Sequence, residues 1–308
     1  MKKTISNLMG LNIKSHSDIQ FIDISINADT PLFIDPCLLE ARDDDWTKNA
    51  KDKLWDYFEC MYQLYAQNKP DIEKFNLFQY ANEVSATRLG YGSNGLNGKG
   101  TTPQGMISTF SYIPQLLKKI YMEHPIDTTL FIKNFAEDRM SDLITNILFW
   151  ELNDFTISVC NSYGMPLTQS FNKQHYWNSI EHKWMPYTGE SLIVENNLIL
   201  LVPKWIVQER YHYNLDQYFN SVILTKLCEK ESYIDNRGKI QKIFKKDMRI
   251  KTIKVSDDIF NESIKHTSQN PKWLKDYHSS IPREFRNRYL SDEKIDEIVY
   301  RTLKKSIA

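Results

Sequence analysis

Residues 46–67, WTKNAKDKLWDYFECMYQLYAQ, constrain the fold more than any other stretch of this chain. Trp46, Ala50, Leu54, Tyr57, Phe58, Met61, Leu64 and Tyr65 recur at three- and four-residue intervals, which stacks them on one face of a helix. A helix with one apolar face must lay that face against other apolar elements, so the chain is committed to a layered core. The composition supplies one: 308 residues, 41% apolar and 13% aromatic, suit one large domain or two modest ones and exclude a disordered chain. No apolar run approaches the roughly 18–20 residues that span a bilayer, and polar residues interrupt any signal-like segment after Lys2 and Lys3. Cys37, Cys60, Cys160 and Cys228 are scattered without a CxxC pair, which argues against a disulfide framework or a zinc knuckle. A cytoplasmic location, with no membrane partner, is the expectation.

Other segments fill in the architecture. ISINADTPLFIDP reads as strand, turn, strand, and ESLIVENNLILLVPKWIV as a hairpin turning at Asn196–Asn197. Thr101 or Thr102 caps a helix beginning near Pro103. Residues 128–160 read as one long helix or two short ones, ended by Gly164-Met165-Pro166, and the last hundred residues are mostly helical apart from a break at Gln269-Asn270-Pro271. The fold class expected is therefore α+β: a mostly helical single large domain with a small mixed or antiparallel sheet, its hairpins near 21–35 and 191–207. Within it, residues 1–170 carry 15 Lys/Arg against 21 Asp/Glu, and residues 171–308 carry 24 against 18. An acidic region is thus joined to a basic one, packed as one domain. That asymmetry suits an acid or metal site beside a phosphate-contacting surface, or two halves that attract each other.

Six of the ten glycines fall between Gly90 and Gly105. LGYGSNGLNGKGTT is not a P-loop, because Gly98-Lys99 lacks a glycine at 93 and a Ser or Thr at 100. Gly90-x-Gly92-x-x-Gly95 fits the dinucleotide pattern but does not run straight from a strand into a helix. Two readings remain, a surface loop or an anion cradle in which Gly92, Gly95, Gly98, Lys99 and Gly100 bind phosphate at a helix start.

FAEDRMSDLITNILFWELND carries the acids. On a helix Asp138, Asp142 and Asn146 recur every fourth residue, so three oxygen-bearing side chains share a face, either solvated or holding a hard cation such as Mg²⁺ or Mn²⁺. Asp35, ending the apolar run LFI, is the natural third acid, since a strand-end carboxylate often faces a ligand crevice. LFIDPCLL resembles the opening strand–acid–helix of PIN-type nucleases, although the later spacing departs from theirs. Residues 237–254, RGKIQKIFKKDMRIKTIK, hold eight Lys/Arg and one Asp. With Ile240, Ile243, Phe244 and Met248 anchoring a helix, Lys239, Lys242, Lys245, Lys246 and Arg249 would face outward and track a nucleic-acid backbone, or simply be solvated. His175 and His182 sit seven apart among aromatics without an evident third ligand and read as packing or surface residues.

The ordered elements LFIDP, GYGSNGLNGKG, DRMSDLITNI and LLVPK resemble those of a family of uncharacterised bacterial proteins over roughly residues 30–225. The resemblance implies that Asp35, the glycines, Asp138, Ser141, Asp142, Asn146 and Lys204 belong to one site, and it links the chain to antiviral defence. The function expected is a metal-dependent phosphodiesterase or nuclease, with Asp35, Asp138 and Asp142 holding Mg²⁺ or Mn²⁺, Asn146 supporting them, and Lys204 neutralising the scissile phosphate. The alternative is a non-catalytic partner or sensor subunit of a multiprotein complex, or a homo-oligomer, anchored by its many aromatics.

Overall fold

The computed structural model describes residues 4–81, 85–91, 102–253 and 258–305. The architecture is the expected α+β, with helices packed round three small antiparallel sheets among the described residues. The helix read from its apolar spacing runs Asp45–Ala66, and Ala50, Leu54, Tyr57, Phe58 and Met61 are fully buried along it. Asp44 starts it: one carboxylate oxygen accepts from Thr47 N at 3.0 Å and the other from the Thr47 hydroxyl at 2.9 Å. A cap of this kind stabilises a helix by about 1 kcal/mol. Thr102 caps the Pro103–Phe110 helix, accepting from Gly105 N.

The two strand readings are realised with different partners. Ser25 bridges Ala28 across a tight turn, but β1 (Phe33–Ile34) does not fold back on the preceding arm. Phe33 pairs instead with Gln208 and Ile34 with Val207 of β5 (Val207–Gln208), while Phe21 bridges Pro203. Both arms are buried on every side, so each finds its ladder far along the chain. The dominant hairpin is β2 (Thr168–Asn178) with β3 (Lys183–Val194), to which β4 (Asn197–Ile199) adds a third strand. The last turn falls at Glu195–Asn196, both with positive φ (48° and 65°), one residue before the Asn196–Asn197 position read from sequence.

Residues 126–163 form three helices rather than one or two: Ile126–Phe131, Glu137–Ile147 and Phe149–Tyr163. In the basic segment, Ile240–Gln241 is a strand, β7, paired with β6 (Tyr233–Ile234), and the helix spans only Lys245–Thr252. Met248 is buried there as expected, but Ile240 and Phe244 are exposed. Neither anchors a helix: Ile240 lies in the strand and Phe244 precedes the first helical residue. Among the described residues one hydrophobic core includes side chains from Ile5 to Val299, so the acidic and basic regions pack together.

Candidate functional site

The carboxyl end of β1 is where most of the sequence-predicted acids gather. Asp35 follows Ile34 and caps the short Pro36–Glu40 helix: its Oδ1 accepts from Cys37 N at 2.9 Å. The carboxyl is fully buried and its Oδ2 has no hydrogen-bond partner among the described residues. Burial pushes its pKa up to about 7 against the Cys37 backbone bond, which pulls it down. Asp35 thus serves the fold as a withdrawn helix cap instead of facing an open crevice.

The Glu137–Ile147 helix packs on β1 through Ser141, whose hydroxyl accepts from Ile34 N at 3.0 Å. Asp138, Asp142 and Asn146 do share one half-buried row on it, and the Asn146 amide donates to Asp142 O at 3.1 Å. Tyr211 donates its hydroxyl to Ile34 O. It is buried, and after burial the charges of Asp35, Cys37, Glu137 and Asp142 hold its pKa well above the phenol range. The fields of these acids therefore converge on one buried hydroxyl. Their ligand atoms do not: among the described residues, Asp35, Asp138 and Asp142 do not form a group within 4.8 Å of one another.

Asp138 instead turns to the root of the glycine segment. Tyr91 N donates to its Oδ1 at 3.4 Å, and Gly90 passes beneath it with φ +124°. That segment is tied down by Thr30, whose N donates to Arg88 O at 2.8 Å and whose O accepts from Gly90 N at 2.9 Å. Asp29, preceding Thr30, is half-buried; burial raises its pKa, Arg88 opposes this, and the charge of Asp138 raises it further. Asp138 is itself raised, by burial first and by Glu137 in addition, against the Tyr91 backbone bond. Arg88 stands here in a left-handed conformation (φ 51°), and its buried Nε finds no acceptor among the described residues. Tyr91 packs at an angle on Phe33 with ring centroids 4.8 Å apart; burial first, then the charge of Glu137, raises its phenol pKa, and the charge of Arg210 opposes them. The charges of Asp138 and Arg88 thus both reach Asp29, and that of Arg210 reaches Tyr91, where the glycine segment begins. Asp29, Arg88 and Arg210 were not read from the sequence; each lies in a loop with no periodicity to flag it. Gly92, Gly95, Gly98, Lys99 and Gly100 lie outside the described residues.

Lys204 belongs elsewhere. Its Nζ donates to Asp292 Oδ1 at 2.7 Å and to His16 O at 2.6 Å, which binds it to the Asp292–Lys305 helix. Lys239, Lys242, Lys245 and Lys246 are exposed, whereas Arg249 is half-buried, donates to Asn220 Oδ1 at 2.7 Å and lies over the Phe219 ring.

A second cluster escaped the sequence reading. Asp56 and Cys60, one turn apart on the Asp45–Ala66 helix, meet His182 in the β2–β3 turn. His182 Nδ1 lies 2.8 Å from Asp56 Oδ1 and 3.5 Å from Cys60 Sγ. The other Asp56 oxygen accepts from Trp177 Nε1 at 2.6 Å. These residues line a cavity of about 840 Å³ shared with Glu59, Gln63 and Lys183. Burial, then Asp56 and Glu59, push the Cys60 thiol up to about 12. The only sequence signal was the i, i+4 spacing of Asp56 and Cys60; the histidine lies 122 residues from Cys60. His175 is not part of it and stacks on Tyr80, centroids 3.7 Å apart.

One family profile, Domain of unknown function (DUF8370), matches residues 10–214, and the chain belongs to that family. The match takes in β1, the glycine-segment root and the Asp56–Cys60–His182 cluster, and ends before the basic hairpin. No curated protein and no solved structure matches the chain.

Proposed function

We propose that the chain is a divalent-cation-dependent phosphodiesterase acting on nucleic acid, with its chemistry at the root of the glycine segment. The observation that carries this reading is the half-buried pair Asp29 and Asp138, two carboxylates with raised pKa values, together with Arg88, whose charge acts on Asp29 and whose buried Nε lacks an acceptor among the described residues. Neighbouring carboxylates that repel each other favour a cation between them, and displaced pKa values concentrate at functional sites. Mg²⁺ keeps several waters and binds through one or two carboxylates plus substrate phosphates, so it does not need the three aspartates first expected. Arg88 and Arg210 would hold the phosphate, and the exposed lysines of 239–246 would track the backbone. The link to bacterial antiviral defence rests on the sequence resemblance alone.

The test is cleavage of labelled single- and double-stranded DNA and RNA with Mg²⁺ or Mn²⁺. Asp138→Asn should lower the cation-dependent rate by about a hundredfold or more. An unchanged rate in that variant, or no cation-dependent cleavage by the native chain, would sink the proposal.

A second reading, a non-catalytic partner or sensor subunit, is favoured by the apolar residues left uncovered near β6–β7: Tyr233, Ile234, Ile240, Phe244 and Ile250 are all more than half exposed. Such a patch supports a protein contact, and a stable complex with an otherwise inactive chain would favour it.

A further inference from the structure

We propose that Asp56 Oδ1, Cys60 Sγ and His182 Nδ1 form a zinc site, three protein ligands with a fourth coordination position left to a group in the adjoining cavity. The donor set is the first argument. Thiolate, imidazole and carboxylate together suit Zn²⁺, whereas Mg²⁺ and Ca²⁺ prefer oxygen alone.

Distance is the second. Zn–S and Zn–N bonds of about 2.3 and 2.0–2.1 Å at a tetrahedral angle put the two donor atoms roughly 3.5 Å apart. Cys60 Sγ and His182 Nδ1 are 3.5 Å apart. The Asp56–His182 contact of 2.8 Å is a hydrogen bond that must open by about half an ångström. His182 is free to make that movement, since its side chain is 59% exposed.

Support from behind the ligands is the third argument. Trp177 Nε1 fixes the Asp56 oxygen that faces away from the histidine, the kind of outer hydrogen bond that orients metal-binding carboxylates. Asp56 and Cys60 are presented by a rigid helix. His182 stands in the turn between β2 and β3 with φ +48°, a conformation unfavourable for a residue with a Cβ. The Asn178 side chain shapes that turn by accepting from Ile180 N and Glu181 N at 2.9 and 3.1 Å. A strained, well-anchored turn thus holds an imidazole over an acid and a thiol.

The exchange balances simply. Zn²⁺ takes the sulfur lone pair as the thiol proton leaves to solvent; the imidazole gives up to solvent the Nδ1 proton it donates to Asp56, takes one from solvent on Nε2, and so offers its Nδ1 lone pair to the metal. Three protein ligands with one position open is the arrangement of catalytic rather than purely structural zinc sites. Glu59 and Lys183 line the same cavity and would flank whatever occupies the fourth position. The site shares no residue with the Asp29–Asp138 pair, so it stands or falls separately from the phosphodiesterase reading.

Titration of the metal-free, reduced full chain with Co²⁺ and with Zn²⁺ tests it. One equivalent of Co²⁺ should give a sulfur-to-cobalt charge-transfer band and intense tetrahedral ligand-field bands, both displaced by one equivalent of Zn²⁺. The charge-transfer band should vanish in Cys60→Ser. In Asp56→Asn and His182→Asn, Zn²⁺ affinity by calorimetry should fall at least tenfold; asparagine keeps the Trp177 bond in the first and tolerates the left-handed turn in the second. Circular dichroism of each metal-free variant checks the fold. Absence of the band in the native chain, or an undiminished band in Cys60→Ser, would overturn the site. So would unchanged Zn²⁺ affinity in a folded His182→Asn variant.

Discussion

Gly90 and Asp138 approach so closely that a side chain at position 90 would displace the carboxylate: a Cβ there would lie 2.9 Å from Asp138 Oδ1. The contact joins the glycine segment to the first turn of the Glu137–Ile147 helix, where Tyr91 N also donates to Asp138 Oδ1. The first glycine of LGYGSNGLNGKG is thereby accounted for by packing and backbone conformation, not by a phosphate.

Gly90→Ala should therefore destabilise the chain by about 1–3 kcal/mol, because φ +124° is strained for alanine and the carboxylate must move as well. Denaturant midpoints measure this. The loss should shrink when Asp138 is also changed to alanine, since only the backbone strain then remains; equal losses in both backgrounds would mean the close contact is irrelevant.

Asp35 predicts a pH dependence. Its folded pKa, about 7, lies above the ordinary carboxylate value of 3.8, so the folded chain holds that proton more tightly than the unfolded one. Stability should consequently fall as pH rises from about 4 to 7, at up to about 1.4 kcal/mol per pH unit. Asp35→Asn keeps the cap oxygen and removes the charge. It should be nearly neutral at pH 4 and more stable than the native chain at pH 8, by a few kcal/mol. Parallel stability curves for the two proteins would contradict this assignment.

The buried pair Asp127 and His278 predicts a sensitivity at both ends of the pH range. His278 Nε2 lies 2.7 Å from Asp127 Oδ1, and Asp127 Oδ2 accepts from Glu123 N and His124 N at 3.1 and 3.0 Å. Burial lowers the His278 pKa, but the Asp127 charge outweighs it and leaves the imidazole raised above its ordinary 6.5. Burial raises Asp127, but the charge and hydrogen bond of His278 overcome it and hold the carboxyl below 3.8. The histidine's contribution is thus full below about pH 6.5 and disappears as pH climbs through its raised value. That of Asp127 is present above about pH 4 and is lost as pH falls through its depressed value. His278→Gln should remove the alkaline loss, and Asp127→Asn should cost about 3–5 kcal/mol near pH 6. Chemical denaturation from pH 4 to 9 reads both.

What the sequence disclosed follows from the range of each interaction. The Asp45–Ala66 helix was legible because Ala50, Leu54, Phe58 and Met61 repeat within one element. Asp35 was legible as a special position, but a helix cap and a ligand write the same letter after a strand. Only burial separates them. The β2–β3 hairpin was missed because its turn, Ser179 to His182, contains neither glycine nor proline and relies on Asn178 for its shape. The pairing of β1 with β5 and the meeting of Cys60 with His182 join residues more than a hundred positions apart, where periodicity carries no information.

The Asp127–His278 pair also bears on where this family unit ends. Asp127 lies inside the matched stretch 10–214, and His278 lies beyond it on the Pro271–Phe285 helix. A fragment cut at residue 214 would keep a carboxylate shaped to sit beside a cation and lose the cation. Lys204 would likewise lose Asp292. The edge of the sequence match is therefore not a seam along which this protein can be divided: its electrostatic balance is closed by helices that the family description leaves out.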